Sequence, residues 1–176
     1  MTTRTYQGKT PQLGKGAFVD HTALVIGDVQ LGNDASLWPM SVARGDVNYI
    51  RIGARSNIQD GSVLHVTHPH ADQPDGHPLL VGDDVTVGHR VILHGCTIGN
   101  LCLIGMGSTL MDGVVLEDTV LLGAGSLVPP GKVLEGGYLW LGSPVRKVRA
   151  LSADEHRWIE YSARHYVELK DLHCQE

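Results

Sequence analysis

Three histidines within one short stretch have side chains that could bind a divalent metal: His65, His89 and His94. Two of them occupy the same place in the sequence pattern, because His65 directly follows Leu64 and His94 directly follows Leu93. His89 instead comes two positions after the aliphatic residue of its own segment. Neutral imidazole nitrogens bind zinc, iron, cobalt and nickel, so we expect a metal site if the fold brings these rings together.

The elements that must position the histidines are predicted by a period of six in the aliphatic residues. An amphipathic helix would repeat every 3.6 residues and a half-buried strand every two. A period of six instead indicates a β-helix of hexapeptide repeats, with three short strands in each triangular coil of about 18 residues. We therefore predict an all-β solenoid over about residues 12–142, stabilised as each coil stacks on the next. The repeated residues are Val19, Val25, Leu31, Leu37, Ile52, Ile58, Leu64, Val81, Val87, Leu93, Ile98, Ile104, Leu110, Leu116, Leu122, Val128 and Leu134.

Two interruptions of the repeat and one pattern after it complete the predicted organisation. The register slips between Leu37 and Ile52, and 17 positions separate Leu64 from Val81, which predicts an excursion loop over about residues 67–77. Beyond the last repeat, Ser152 and a glutamate three positions later have the spacing of a helical capping box. We expect a C-terminal α-helix over about residues 152–172 that packs back on the prism, and a single domain over residues 1–176.

Composition and charge exclude several classes of function. The net charge of the 176 residues is −5, and no block of lysine and arginine is present, so nucleic acid and anionic membrane surfaces are not expected partners. Three irregularly spaced cysteines, Cys96, Cys102 and Cys174, favour reduced thiols over a disulfide. With no apolar leader and no run of about 18 apolar residues, we expect a cytoplasmic protein.

The repeat also predicts how the histidines lie relative to one another. With the excursion loop removed, Leu64 and Leu93 are one coil apart, so His65 and His94 stack about 4.8 Å apart on one face. His89 lies on the preceding face and points away from that pair. Three-fold packing of prisms would let a neighbouring subunit supply it. A chance cluster among ten histidines explains the spacing alone equally well.

Longer motifs around these histidines resemble the γ-class carbonic anhydrase family, whose bacterial branch includes proteins labelled ferripyochelin-binding. The resemblance covers nearly the whole chain. It implies a left-handed parallel β-helix and a homotrimer with metal sites between subunits, holding Zn²⁺ or alternatively Fe²⁺ or Co²⁺. The motifs that carry it are Arg44-Gly45-Asp46, the segment from Asn57 to His65, Val87-Gly88-His89, Leu93-His94-Gly95, Gly142-Ser143-Pro144, Ser162-Ala163 and Tyr166-Val167-Glu168-Leu169.

The resemblance also implies roles for individual residues around the three histidine ligands. Arg44 and Asp46 resemble the pair that bridges subunits, although by themselves they would read as a surface ion pair. Gln59 resembles the residue that hydrogen-bonds metal-bound solvent, with Asp60 beside it, whereas both would otherwise read as turn residues. Tyr166 resembles a tyrosine near the metal in some relatives, and its position equally fits packing of the helix.

The implied reaction is reversible hydration of carbon dioxide to bicarbonate by a metal-activated hydroxide. The proton that is released needs a relay, and here the chain departs from the archaeal prototype. A glutamate of the prototype is replaced by Val47, and the excursion loop contains no glutamate. The relay candidates that remain are His68, His70, His77 and Asp72, each of which alone fits a solvated loop residue better.

Three other functions remain open from the sequence. A metal hydroxide could also hydrolyse coenzyme A thioesters, and hexapeptide repeats are shared with acyltransferases that use acetyl-coenzyme A. The chain could also be a metal-binding homologue with little or no hydratase activity.

Overall fold

The computed structural model describes residues 2–175, in which the chain forms 20 strands and one helix. The strands wind into a parallel β-helix of about eight turns, as the period of six predicts, and it is left-handed, as the family resemblance implies. Residues 1 and 176, which the predicted domain includes, lie outside this range.

The strands are short and follow one another through tight turns. They are β1 (Thr2–Arg4), β2 (Gln12–Leu13), β3 (Phe18–Val19), β4 (Leu24–Leu31), β5 (Ser36–Leu37), β6 (Val42–Ile52), β7 (Asn57–Ile58), β8 (Val63–His65), β9 (Leu79–Val81), β10 (Thr86–Val87), β11 (Ile92–His94), β12 (Thr97–Ile98), β13 (Leu103–Ile104), β14 (Thr109–Leu110), β15 (Val115–Leu116), β16 (Leu121–Leu122), β17 (Leu127–Val128), β18 (Val133–Leu134), β19 (Tyr138–Leu141) and β20 (Arg146–Ala150). The helix α1 spans Ala153–His173.

Parallel pairing between coils arranges the strands on three faces. The first face is an 8-stranded sheet in the order β20-β19-β16-β13-β10-β7-β5-β3, with β20 antiparallel to β19. The second and third faces form one 12-stranded sheet, because β4 and β6 run continuously around the corner between them. The start of β6 pairs with β8 on the second face, and its end pairs with β9 on the third. Between the pairs Gly27–Gly45 and Val29–Ile50, five steps along β6 oppose two along β4, and these three extra residues account for the register slip between Leu37 and Ile52.

The aliphatic residues of the repeat form the core of the prism. Every residue of the predicted ladder is buried, with at most 5% of its surface exposed. Burying a side chain of this size contributes about 1.5–3 kcal/mol each relative to leaving it in water. The core therefore rests on stacked rows of small aliphatic residues.

The helix covers part of the first face, as predicted. Ser152 is its N-cap, and the reciprocal hydrogen bonds of a capping box are present between Ser152 and Glu155. Ile159 and Ala163 are buried beneath it. Near its end, the buried ammonium of Lys170 lies 3.1 Å from a carboxylate oxygen of Asp34 at a corner of the solenoid. The helix is therefore fixed by both apolar and charged contacts. No helix among residues 2–175 is long and apolar enough to cross a bilayer.

The capping box should make the stability of the protein depend on pH. Hydrogen bonds from Arg149 and from the backbone of Ser152 lower the pKa of Glu155 to about 2. The folded-state pKa lies below the ordinary value of 4.5. The ionised carboxylate therefore stabilises the folded protein fully at pH values above 4.5, and this stabilisation is lost as the pH falls towards 2. Glu155→Gln keeps an acceptor for the capping box but removes the charge that pairs with Arg149, so it should reduce the free energy of unfolding by about 0.5–1 kcal/mol at pH 7, with the difference shrinking at pH 3. Urea unfolding at both pH values tests this, and an equal loss after Glu160→Gln would contradict it.

The three cysteines are free thiols in very different environments. Cys96 and Cys102 are buried, and Cys174 is exposed. Burial raises the pKa of Cys102 to about 12 and also raises the pKa of Cys96, and thiols react through the thiolate. An aromatic disulfide reagent should therefore label Cys174 alone in native protein and all three thiols in denaturant. Rapid native labelling of a second thiol would contradict the burial, and fewer than three labelled thiols in denaturant would contradict the reduced state.

Candidate metal centre

His65 and His94 lie side by side on the second face, as the repeat predicts. They are register partners on the neighbouring strands β8 and β11. Nδ1 of His65 lies 3.1 Å from Nε2 of His94. Two nitrogens that are each 2.0–2.1 Å from a tetrahedral zinc ion lie about 3.3 Å apart. The separation of the two rings therefore fits a shared ion, although metal binding itself stays a prediction.

His89 follows β10 and lies on the first face, away from this pair. Its side chain is about half exposed. Among residues 2–175 of one chain, no three side chains of histidine, cysteine, aspartate or glutamate are grouped so that they could hold a metal. A third ligand for the His65–His94 pair would have to come from another molecule, as the shared-site prediction requires.

Each of the three histidines has one ring nitrogen next to an aspartate. The pairs are His65 Nε2 with Asp46 Oδ1 at 3.1 Å, His89 Nδ1 with Asp60 Oδ2 at 2.9 Å, and His94 Nδ1 with Asp112 Oδ1 at 2.6 Å. A carboxylate on one ring nitrogen fixes the tautomer and leaves the other nitrogen to bind metal, which is the usual arrangement around metal-bound histidine. The donor set therefore fits a divalent ion.

Arg44 and Asp46 lie two residues apart on β6, so their side chains leave the same side of the strand. Their closest atoms, Nη1 of Arg44 and Oδ2 of Asp46, are 2.5 Å apart. Burial would raise the pKa of Asp46, but hydrogen bonds from Arg44 and His65 outweigh it and hold that pKa below its usual value. Burial also lowers the pKa of His65, which favours the neutral imidazole that a metal requires. The predicted bridge to another subunit stays a prediction.

Gln59 is buried and is held by a line of hydrogen bonds that the sequence analysis missed. Its Nε2 donates to Oδ1 of Asn57 at 3.1 Å. Nδ2 of Asn57 donates to Oγ1 of Thr86 at 3.1 Å, and Oγ1 of Thr86 donates to Oγ of Ser162 in the helix at 3.1 Å. Asn57 and Gln59 flank the inward-facing Ile58, and this alternation signals that they share the outer surface. The predicted contact of Gln59 with metal-bound solvent is not tested by these bonds.

Tyr166 packs against the first face from the helix. Its ring meets Trp38 edge to face, with ring centroids 5.3 Å apart. Burial, together with the negative charge of Asp60, raises the pKa of Tyr166. The packing interpretation of Tyr166 is therefore confirmed, and a role next to the metal stays a prediction.

The excursion loop leaves the prism after β8 and returns at β9. Its base is closed by two backbone hydrogen bonds between Thr67 and His77, each 3.0 Å long. The side chain of Asn48, on β6, donates to the carbonyl of Thr67 at 3.0 Å and to the carbonyl of Asp75 at 2.9 Å. The loop is therefore tied at its base to β6, near the corner between the second and third faces.

The predicted proton-relay residues lie in this loop. His68, His70 and Asp72 are exposed, whereas His77 is partly buried at the base. The rings of His68 and His70 lie close together, with centroids 5.8 Å apart. Within residues 2–175, none of the four side chains hydrogen-bonds to a candidate metal ligand. Their function as a relay stays a prediction.

The sequence analysis also missed Asp112, the partner of His94. It lies 18 positions after His94, one position beyond Met111, which the pairing of Leu93 with Leu110 places in register with His94. A search for carboxylates one coil from each histidine would have found it.

Several curated proteins are similar to the chain over most of its length. It is 58% identical to Protein YrdA of Escherichia coli over 173 residues, which cover 98% of this chain and 94% of that protein. It is 48% identical to a carbonic anhydrase of Geobacillus kaustophilus over 163 residues, which cover 93% and 86%. Gamma carbonic anhydrase 1, mitochondrial, of Arabidopsis thaliana is 43% identical over 168 residues, covering 96% of this chain and 61% of that protein. No protein-family model matches the chain.

Solved structures show the same architecture. A hexapeptide transferase family protein from Anaplasma phagocytophilum superimposes with a TM-score of 0.89 at 39% identity, covering 96% of this chain and 95% of that one. Together with the stacked histidines and their carboxylates, these similarities show that the chain belongs to the γ carbonic anhydrase family of hexapeptide-repeat proteins.

Proposed function

We propose that the protein is a metal-dependent enzyme that reversibly hydrates carbon dioxide to bicarbonate. The observation that carries this proposal is the convergence of His65 Nδ1 and His94 Nε2, 3.1 Å apart, with an aspartate on the other nitrogen of each ring. The carbonic anhydrases among its relatives supply the reaction class. Zn²⁺ is the proposed metal, with Fe²⁺ and Co²⁺ as alternatives, because neutral imidazoles suit all three ions.

We assign the third ligand, His89, to a neighbouring subunit of a homotrimer. Exposed apolar side chains on the second face support an interface beside the ligand pair. Val63 and Ile92, on the strands that carry His65 and His94, are 42% and 44% exposed. Light scattering after size-exclusion chromatography should give the mass of three chains. The three free cysteines support a reducing, cytoplasmic location.

The residues of the chain would prepare this site for hydration as follows. A divalent ion in such a site supplies activation of water near neutral pH. Asp46 and Asp60 hold the rings of His65 and His89 in fixed tautomers. Gln59, whose position Asn57 fixes, would orient the reacting oxygen. The loop histidines would carry the released proton to solvent.

Stopped-flow measurement of carbon dioxide hydration tests the proposal. The wild-type protein should be loaded with zinc and, separately, with Fe²⁺ under anaerobic conditions. His94→Ala serves as the control because it removes one ligand. Hydration by both loaded forms at the rate of the control would overturn the proposal.

A second candidate function is acyl transfer from acetyl-coenzyme A. It is favoured by the hexapeptide transferase family structure, which is 39% identical to this chain. Tight binding of coenzyme A by metal-free protein would support this function. Release of free thiol from acyl-coenzyme A that depends on bound metal would instead indicate thioester hydrolysis at the same centre.

A further inference from the structure

Asp112 uses both of its carboxylate oxygens to join two parts of the molecule. It follows β14 on the second face, one coil from His94. Oδ1 of Asp112 lies 2.6 Å from Nδ1 of His94. Oδ2 accepts a hydrogen bond of 2.8 Å from Oγ1 of Thr67. The carboxylate therefore connects the candidate ligand to the start of the excursion loop.

The contact with Asp112 determines which nitrogen of His94 is available to a metal. An ionised carboxylate can only accept hydrogen bonds, so the proton of the neutral ring is held on Nδ1. The lone pair is then on Nε2, the atom that faces Nδ1 of His65. The carboxylate also fixes the orientation of the ring, as second-layer carboxylates do at metal sites.

Thr67 is itself held rigidly, because it forms the base of the excursion loop. Its backbone bonds to His77 close the loop, and its carbonyl accepts from Asn48. Gly76 has a φ of +60°, and a Cβ atom there would overlap the carbonyl oxygen of Thr67. Only glycine fits this close approach. The hydroxyl that reaches Asp112 is thus positioned by the closed base of the loop.

We propose that Asp112 is a positioning residue of the metal centre and that Thr67 makes the excursion loop part of the same support. The inference rests on the proposed function only in requiring that a metal binds His94. In this arrangement the loop base sets the Thr67 hydroxyl, the hydroxyl orients Asp112, and Asp112 holds His94 ready to bind. The loop then contributes to metal affinity whether or not its histidines move protons.

Asp112→Asn tests the first part of the proposal. The amide is neutral and can donate as well as accept, so it no longer enforces the Nδ1–H tautomer. Asp118→Asn is the matched control, since Asp118 has the same offset from its aliphatic residue, Leu116. Within residues 2–175 its carboxylate hydrogen-bonds to Asn100 and to no histidine. Competition with a chromophoric chelator should show zinc binding about 10–100-fold weaker in Asp112→Asn and unchanged in Asp118→Asn.

Thr67→Val tests the second part and keeps the shape of the side chain. Zinc affinity should fall by about threefold to tenfold, because Asp112 loses its orienting donor. Thr97→Val is the control, as Thr97 is at a strand start on the third face and makes no side-chain hydrogen bond within residues 2–175. In the double variant of Asp112 and Thr67, the loss should be smaller than the product of the single losses, since both act through one contact.

The absorption spectrum of Co²⁺-loaded protein gives a readout independent of activity. It should change in Asp112→Asn and stay the same in both controls. If Asp112→Asn bound zinc as tightly as the wild type, the role of Asp112 would be overturned. If the loss of zinc affinity in the double variant equalled the product of the two single losses, the coupling to the loop would be overturned. In both cases hydration by the wild type could still stand. A wild-type protein that binds no metal would overturn this proposal and the proposed function together.

Discussion

We expect metal binding to be restored when subunits with His89→Ala are mixed with subunits with His94→Ala, although neither variant binds metal alone. Each single variant should be metal-free and inactive, because every site lacks one ligand. In a mixed trimer, a site between an intact His65–His94 pair and an intact His89 is complete. Every ring of three that contains both variants has one such junction, so about a third of the sites in mixed trimers should be restored. Metal content and hydration rate of co-expressed, doubly tagged trimers measure this recovery.

A matched mixture shows whether the recovery reports a shared site. His65→Ala and His94→Ala remove two ligands that lie on neighbouring strands of the same chain. In this mixture no subunit carries both His65 and His94, so no site can be complete and the mixture should stay metal-free. Equal recovery in both mixtures, or none in the first, would contradict a centre divided between subunits.

Gly53→Ala should cause a large loss of stability by forcing two coils apart. A Cβ atom at Gly53 would overlap the backbone of Gly82 in the next coil. The two glycines directly follow β6 and β9, and these paired strands cannot move apart without breaking their backbone hydrogen bonds. We expect a loss of about 3 kcal/mol, which for a protein of this size lowers the unfolding midpoint by roughly 6–12 °C. Differential scanning calorimetry measures the shift.

Gly125→Ala separates steric overlap from backbone strain. Gly125 has a φ of +68°, but a Cβ atom there would meet nothing within 4 Å. Its cost should be that of a left-handed alanine alone, about 1–2 kcal/mol. If Gly125→Ala lowered the midpoint as much as Gly53→Ala, overlap between coils would not be the cause.

The repeat predicted the core and the pairing of two histidines because both follow from one-dimensional spacing. Once Leu64 and Leu93 are placed in register, the residues that follow them must be neighbours on the same face. The capping box at Ser152 was likewise a local signal, with all of its partners within three residues. Local periodicity and local hydrogen bonding were therefore enough to predict the stacked coils and the capped helix.

Features that depend on contacts between distant polar residues were not predicted. The hydrogen bond between Thr86 and Ser162 joins the prism to the helix across 76 positions, and no repeat relates those two residues. The contact of Thr67 with Asp112 depends on where the excursion loop closes. The extra residues of β6 between Gly45 and Ile50 also have no periodic signal, because they interrupt the repeat.

The last strand, β20, has a consequence for how the protein can assemble. It runs antiparallel to β19, and all of its residues are exposed, including Arg146, Lys147 and Arg149. A parallel stack that ended in a bare strand would be a template on which further chains could grow into fibrils. β20 instead runs antiparallel to the strand beneath it, and of its exposed cations Lys147 and Arg149 are paired with Glu135 and Glu155. End-to-end addition of another chain is therefore disfavoured on the first face, while the second and third faces end in β17 and β18 and sideways contact between subunits is left free.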